Sequence, residues 1–435
     1  MADTHPSDSI ILEPSGPVRA TVRPPGSKSI TNRALACAAL ARGPSALTGV
    51  LDSEDTQVML EGLRKLGLEL THDAARCEVR IVGCDGKLPA AGADLFVGNS
   101  GTTVRFLTAL VALGHGRFRL DGVPRMRERP IADLLEALNA LGVSARSETG
   151  NGCPPVVVDA AGLAGGKACI RGDVSSQFLS GLLLASPYAA APLEIEVAGE
   201  LVSVPYVEMT LAVMRAFGAM IEADAAPPAF RVSNQARYVG RSYDIEPDAS
   251  AASYFFGAAA VTGGDVTVQG LSRSSLQGDV GFCDCLERMG CEIHWQPNSI
   301  RVVGHGPLRG IDVDMNAISD TAQTLAVVAL FAAGPTTIRG VAHIRHKETD
   351  RIGDLARELR KLGADVEEFN DGLRITPRSL HAAALDTYRD HRMAMSFALA
   401  GLRLPGVEIR DPGCVAKTYP RFFDDLCAAM RGESN

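Results

Sequence analysis

Two patterns of apolar positions alternate along this chain. An alanine-rich apolar run of helical length is followed by a short β-like run bounded by Gly or Pro, and the pair recurs six times. The β-like runs are Gly43–Gly49 (GPSALTG), Gly116–Gly122 (GRFRLDG), Pro192–Gly199 (PLEIEVAG), Gly264–Gly270 (GDVTVQG), Gly334–Gly340 (GPTTIRG) and Gly406–Gly413 (GVEIRDPG). Their closing glycines stand 73, 77, 71, 70 and 73 residues apart. A second marker keeps the same step: an amphipathic helical stretch ends on glycine at Leu63–Gly67, Leu138–Gly142, Met214–Gly218, Leu286–Gly290 and Leu359–Gly363. Glycine stops a helix there because it enters the left-handed conformation without a Cβ clash. The sixth copy of this marker breaks down near Leu426–Met430. Six α/β units, each of strands and two helices, are therefore predicted.

A third marker precedes each alanine-rich run. The short polar stretches Gly26–Arg33 (GSKSITNR), Gly98–Arg105 (GNSGTTVR), Gly172–Gln177 (GDVSSQ), Asp248–Ser253 (DASAAS), Ser319–Gln323 (SDTAQ) and Asp390–Arg392 (DHR) hold residues that cap helix starts. Three of them also place Lys or Arg in the first turns, where the helix dipole favours acidic residues instead. An anion held by free backbone N–H groups, the dipole and the cations together accounts for that reversal.

Charge narrows the kind of anion. The chain carries a formal net charge of -8, yet Lys28, Arg33, Arg105, Arg125, Arg127, Arg129, Lys347, Arg351, Arg392 and Lys417 all fall at repeat-equivalent or loop positions. Net acidity disfavours nucleic acid and anionic membrane, so these cations are expected to serve small anions. Its 435 residues exceed what one core usually organises, and no run of about 18 apolar residues occurs. Met1–Ser9 is polar, without the apolar segment of a leader, which predicts a cytoplasmic protein. The ten cysteines form no paired framework.

Other chemistries fit poorly. Pro24–Ser29 (PPGSKS) lacks the first glycine of a P-loop, and Gly304, Gly306 and Gly310 lead into another strand-like run, not a helix. His343 and His346 lack a third ligand, so no metal and no cofactor are expected. Taken alone, Lys347–Arg351 (KETDR) reads as a solvated helix face of weak ion pairs.

Taken together, PGSKS from Pro25, GNSGTT from Gly98, PRMRERP from Pro124, SSQF from Ser175, KETDR from Lys347 and DHRMAM from Asp390 resemble, in order and across nearly the whole chain, the 5-enolpyruvylshikimate-3-phosphate synthases of the enolpyruvyl transferase family. That resemblance implies an α/β, two-domain fold of six βαβαββ repeats, three per domain, forming a clamshell. The first domain would be residues 26–245 and the second residues 1–25 with 246–435, with hinges near Pro24–Gly26 and Asp244–Pro247. It implies a monomer whose partners are two small-molecule substrates, phosphoenolpyruvate and shikimate 3-phosphate.

Residue by residue, the resemblance implies that Lys28, Ser29, Arg33, Ser175, Ser176, Gln177, Ser203, Asp320, His343 and Lys347 bind shikimate 3-phosphate. Lys28, Asn99, Gly101, Arg129, Gln177, Arg351, Arg392 and Lys417 would hold phosphoenolpyruvate, with Arg105 as a second choice. Asp320 would accept the hydroxyl proton, Glu348 would protonate and later deprotonate the methylene carbon, and Lys28 would offset charge. His343 stands where relatives commonly have Asn, and Phe106 where they commonly have Pro. Gly101 implies sensitivity to glyphosate. The nearest alternative is the sister enzyme acting on UDP-N-acetylglucosamine, which carries a Cys in the loop matching Asp121–Arg129; none is present. A non-catalytic phosphate binder is the other, and two carboxylates among cations argue against it.

Overall fold

The computed structural model describes residues 9–225 and 228–433; the polar start at Met1–Asp8 lies outside them. The chain divides into two compact units. One, the inserted unit, is Gly26–Glu246; the other, the parent unit, joins Met1–Pro25 to Pro247–Asn435. The inserted unit holds α1 (Lys28–Leu40), α2 (Glu54–Lys65), α3 (Gly101–Val111), α4 (Ala132–Ala140), α5 (Ser176–Ala185) and α6 (Val204–Ala216). The parent unit holds α7 (Ala249–Thr262), α8 (Phe282–Met289), α9 (Ala322–Ala329), α10 (Gly353–Lys361), α11 (His391–Gly401) and α12 (Phe422–Met430). Among the described residues no helix is long and apolar enough to cross a membrane.

The six β-like runs all form strands, at Arg42–Thr48, His115–Asp121, Leu193–Ala198, Asp265–Gln269, Thr336–Arg339 and Glu408–Arg410. Each sits inside its own small sheet. The middle unit of the insert shows the plan: Gly92–Phe96 runs parallel to His115–Asp121 across α3, and the hairpin Ser144–Ser147/Val156–Ala161 adds antiparallel to the latter. A parallel pair needs a helical crossover and a hairpin does not, which is why each unit has this order. The five helix-ending glycines lie at φ +87° (Gly67), +83° (Gly142), +102° (Gly218), +109° (Gly290) and +92° (Gly363), as a left-handed stop requires.

The sixth unit departs from the sequence expectation. Its second helix persists as α12, followed by Gly432 at φ +76°, but among the described residues no hairpin follows it. Its sheet is completed instead by Ser9–Ile11 from the chain start, antiparallel to Glu408–Arg410. Likewise Arg19–Val22 completes the sheet of Asp265–Gln269, and Ser242–Asp244 that of Arg42–Thr48.

The six odd-numbered helices are buried nearly all round, and small residues let them approach one another closely. A methyl at Gly257 of α7 would meet Leu399 of α11 at 2.7 Å and Val328 of α9 at 3.3 Å. In the insert, one at Gly181 of α5 would lie 2.8 Å from the backbone of Arg105 on α3. Truncating a leucine or phenylalanine in these centres should cost about 2–5 kcal/mol.

Candidate active site

The two helix classes differ at their starts in a way that places the site. None of the buried odd-numbered helices has an acidic residue in its first turn. By contrast α2, α4, α8, α10 and α12 all do, as the dipole favours. Capping side chains leave the remaining N–H groups of the odd helices open to an anion: Ser27, Ser100, Ser175, Asp248 and Asp390 accept from Ile30, Thr103, Gln177, Ala251 and Arg392. α9 is the exception, because the stretch expected to cap it forms an irregular turn, Asn316–Thr321, with no side-chain cap.

In the inserted unit, cations gather at the starts of α1 and α3. Lys28 opens α1, with Asp55 of α2 at 3.7 Å. Gly101 opens α3, and Arg129 donates to the Asn99 carbonyl at 2.9 Å, so that its guanidinium lies over that start. Arg105 donates to Gln177 Oε1 (2.7 Å) and to the Pro130 carbonyl (3.0 Å), tying α3 to α5. Ser175 and Ser176 open α5; Ser203, left-handed at φ +55°, precedes α6.

Arg33 occupies a different environment, only 1% exposed. It donates to Thr210 Oγ1 (2.7 Å) and the Tyr206 carbonyl (3.0 Å), and stacks 5.3 Å from the Phe106 ring. Burial lowers its pKa to about 10, so it stays charged at neutral pH. These partners join α1 to α6 beneath the Lys28 turn, and Phe106 serves as their apolar floor.

In the parent unit a single guanidinium organises the charges. Arg351, fully buried, donates to Asp390 through Nε (2.7 Å) and Nη2 (3.2 Å), to Glu348 at 2.7 Å and to Asp320 at 3.3 Å. Burial opposes its charge, yet Asp390, Glu348 and Asp320 together hold its pKa above the ordinary value. Asp320 also meets Lys347 at 2.5 Å and Arg392 at 2.8 Å; Glu348 also meets Lys417 at 3.0 Å. Burial pulls Lys347 below its ordinary value against the pull of Asp320. KETDR is therefore a buried, bridged turn and not the solvated helix face it resembles in isolation. Sequence read Asp390 as a helix cap and not as a partner of Arg351, and did not single out Asp55, which was detectable as an acid on the apolar stripe of Met59, Leu60 and Leu63.

His343 donates to or accepts from Ser319 Oγ at 3.0 Å. Burial, then Lys347, hold its pKa down to about 3 from an ordinary 6.5. The folded state thus binds fewer protons than the unfolded between these values, and stability is present above pH 6.5 and lost as pH falls towards 3. His343→Asn should flatten the acid limb of a melting-temperature profile over that window; an unchanged slope would refute the assignment. Among the described residues no group of three or more His, Cys, Asp or Glu is arranged to hold a metal ion.

Comparison with known proteins identifies the family. A family model described as EPSP synthase (3-phosphoshikimate 1-carboxyvinyltransferase) matches residues 12–426. A 3-phosphoshikimate 1-carboxyvinyltransferase of Nostoc punctiforme is 50% identical over 407 residues, 94% of this chain and 95% of that one. A chloroplastic 3-phosphoshikimate 1-carboxyvinyltransferase of Nicotiana tabacum is 48% identical, over 96% of this chain and 84% of its own. The solved structure of EPSP synthase from Acinetobacter baumannii matches with a TM-score of 0.82 at 26% identity, covering 97% of each chain.

Proposed function

Because this chain belongs to the EPSP synthase family, we propose how its own residues divide the family's reaction between them. The enzyme transfers the enolpyruvyl group of phosphoenolpyruvate to shikimate 3-phosphate and releases phosphate, a step of aromatic amino acid biosynthesis. The observation that carries the assignment is Arg351, which joins three carboxylates among cations.

The acceptor hydroxyl adds to C2 of phosphoenolpyruvate while C3 takes a proton; then the C2–O bond to phosphate breaks as C3 gives a proton up. Asp320 takes the hydroxyl proton, and Glu348 gives and recovers the proton at C3. Incoming phosphate and carboxylate groups compete for Lys347, Arg392 and Lys417, and so free the carboxylate oxygens those cations now cover. Lys28, Asn99, Gly101, Arg129, Gln177, Arg351, Arg392 and Lys417 hold phosphoenolpyruvate. Lys28, Ser29, Arg33, Ser175, Ser176, Gln177, Ser203, Asp320, His343 and Lys347 hold shikimate 3-phosphate. Fixed charges of this kind supply most of such a rate enhancement. The net charge of -8 disfavours nucleic acid and anionic membrane, which supports small-molecule partners. Phosphate release that needs both substrates tests the reaction; release with UDP-N-acetylglucosamine as acceptor would overturn it.

Gly101 sets the room at the start of α3. A methyl there would lie 2.7 Å from Arg105 Nη1 and closer still to Arg129 Nη2. Gly101→Ala should push Arg129 aside and raise KM for phosphoenolpyruvate about tenfold, with kcat changed less. Glyphosate, the longer molecule, should lose more affinity than phosphoenolpyruvate does. Equal inhibition constants in the two proteins would show that Gly101 does not line the pocket.

A further inference from the structure

The segment leading into α11 contains two consecutive non-glycine residues in the left-handed region, Tyr388 at φ +54° and Arg389 at φ +56°. Side chains with a Cβ rarely adopt this conformation, and such strain persists only where the surroundings impose it. The surroundings here are specific. Glu358 of α10, fully buried, accepts from the Tyr388 hydroxyl at 2.5 Å and from the Asp386 backbone N–H at 2.9 Å. Lys361 bridges Glu358 (2.7 Å) and Asp386 (2.8 Å). Arg357 lies 5.7 Å over the Tyr388 ring and donates to its hydroxyl at 3.1 Å. Burial and the Glu358 carboxylate raise the phenol's pKa, which keeps it a donor through neutral pH.

What this arrangement holds is the residue that follows. Asp390 is fully buried and receives the fork of Arg351, whose other arms reach Glu348 and Asp320. Arg351 lies just ahead of α10, and Tyr388 just ahead of Asp390. The bond from Glu358 to Tyr388 therefore closes a ring that runs from Arg351 through α10 to the strained turn and back through Asp390. A buried acid that merely satisfied a loose loop would need no left-handed pair beside it.

We propose that Glu358 and Tyr388 are positioning residues, a clasp that aims Asp390 and through it fixes Arg351 against the two reacting carboxylates. They touch neither substrate in this role. A small misdirection of a reacting group lowers turnover without weakening binding.

Tyr388→Phe removes one hydroxyl and keeps the ring. Its kcat should fall about tenfold while KM for both substrates stays within about twofold. Glu358→Ala should match that loss, and Glu358→Gln, whose amide oxygen can still accept from Tyr388 while its NH2 takes the side of the Asp386 N–H, should recover part of it. The double variant Tyr388→Phe/Glu358→Ala should lose no more than the worse single one, since both break one bond. Melting temperatures measured alongside separate misdirection from unfolding. Wild-type kcat in Tyr388→Phe, or a loss that follows the folded fraction with no recovery in Glu358→Gln, overturns the clasp. The inference rests on the roles given to Arg351, Asp320 and Glu348, and the two can fail separately. Full turnover in Glu348→Gln overturns those roles, whereas full turnover in Tyr388→Phe beside an inactive Glu348→Gln overturns the clasp alone.

Discussion

Glu348→Gln should lower kcat by about 10²–10⁴-fold while both substrates still bind. The substitution keeps the side chain's size and one acceptor oxygen, so one of the two cations, Arg351 at 2.7 Å on one oxygen or Lys417 at 3.0 Å on the other, keeps its partner. What it removes is the ability to take up and return a proton at C3. Uniform binding is therefore spared, and the loss should fall on kcat and on kcat/KM alike. Solvent deuterium entering the methylene group of phosphoenolpyruvate reports the same step independently of phosphate release. If the variant turns over within about threefold of wild type, Glu348 is not the group that handles this proton.

Asp320→Asn should cost a comparable 10²–10⁴-fold in kcat but differ in two other respects. The carboxylate faces Lys347, Arg351 and Arg392. Removing its charge leaves those cations facing one another, and breaking a buried pair from one side costs about 3–5 kcal/mol. The melting temperature should drop, and phosphoenolpyruvate, the anion assigned to Arg351 and Arg392, should restore part of it. Binding of that substrate, measured by calorimetry, should be unchanged or tighter. A loss of affinity together with near-normal kcat would remove Asp320 as the base and make it a binding group only.

Much of this architecture was legible in local sequence because its determinants are local. A glycine that ends a helix acts on its own turn, and Gly67, Gly142, Gly218, Gly290 and Gly363 all took up the conformation their position demanded. The reversed charge pattern at Lys28, Arg105 and Arg392 was readable for the same reason, since the dipole acts within one turn. Distant partners were not. Ser9–Ile11 looks like an isolated β-prone triplet, and nothing near it announces Glu408–Arg410 as its neighbour. Arg33 meets Thr210 across 177 positions of sequence, so its depth in the insert could not be read from the turn it sits on. KETDR misled in isolation because ion pairs at helical spacing look alike on a wet face and in a buried turn; only the packing of Asp390 and Asp320 against Arg351 separates the two.

The borrowed strands bear on how the chain can be assembled as it is made. The insert, Gly26–Glu246, has its two ends tied together by the bond from Ser27 N–H to the Glu246 carbonyl, and all three of its sheets draw on its own residues. It can therefore finish folding as soon as residue 246 has cleared the ribosome. The parent unit cannot. Arg19–Val22 is synthesised long before its partner Asp265–Gln269, and Ser9–Ile11 longer still before Glu408–Arg410. Through most of synthesis the leading segment is thus an unpaired strand edge, open to wrong partners. Its shortness, three and four residues per strand, limits what such an edge can recruit in the interval.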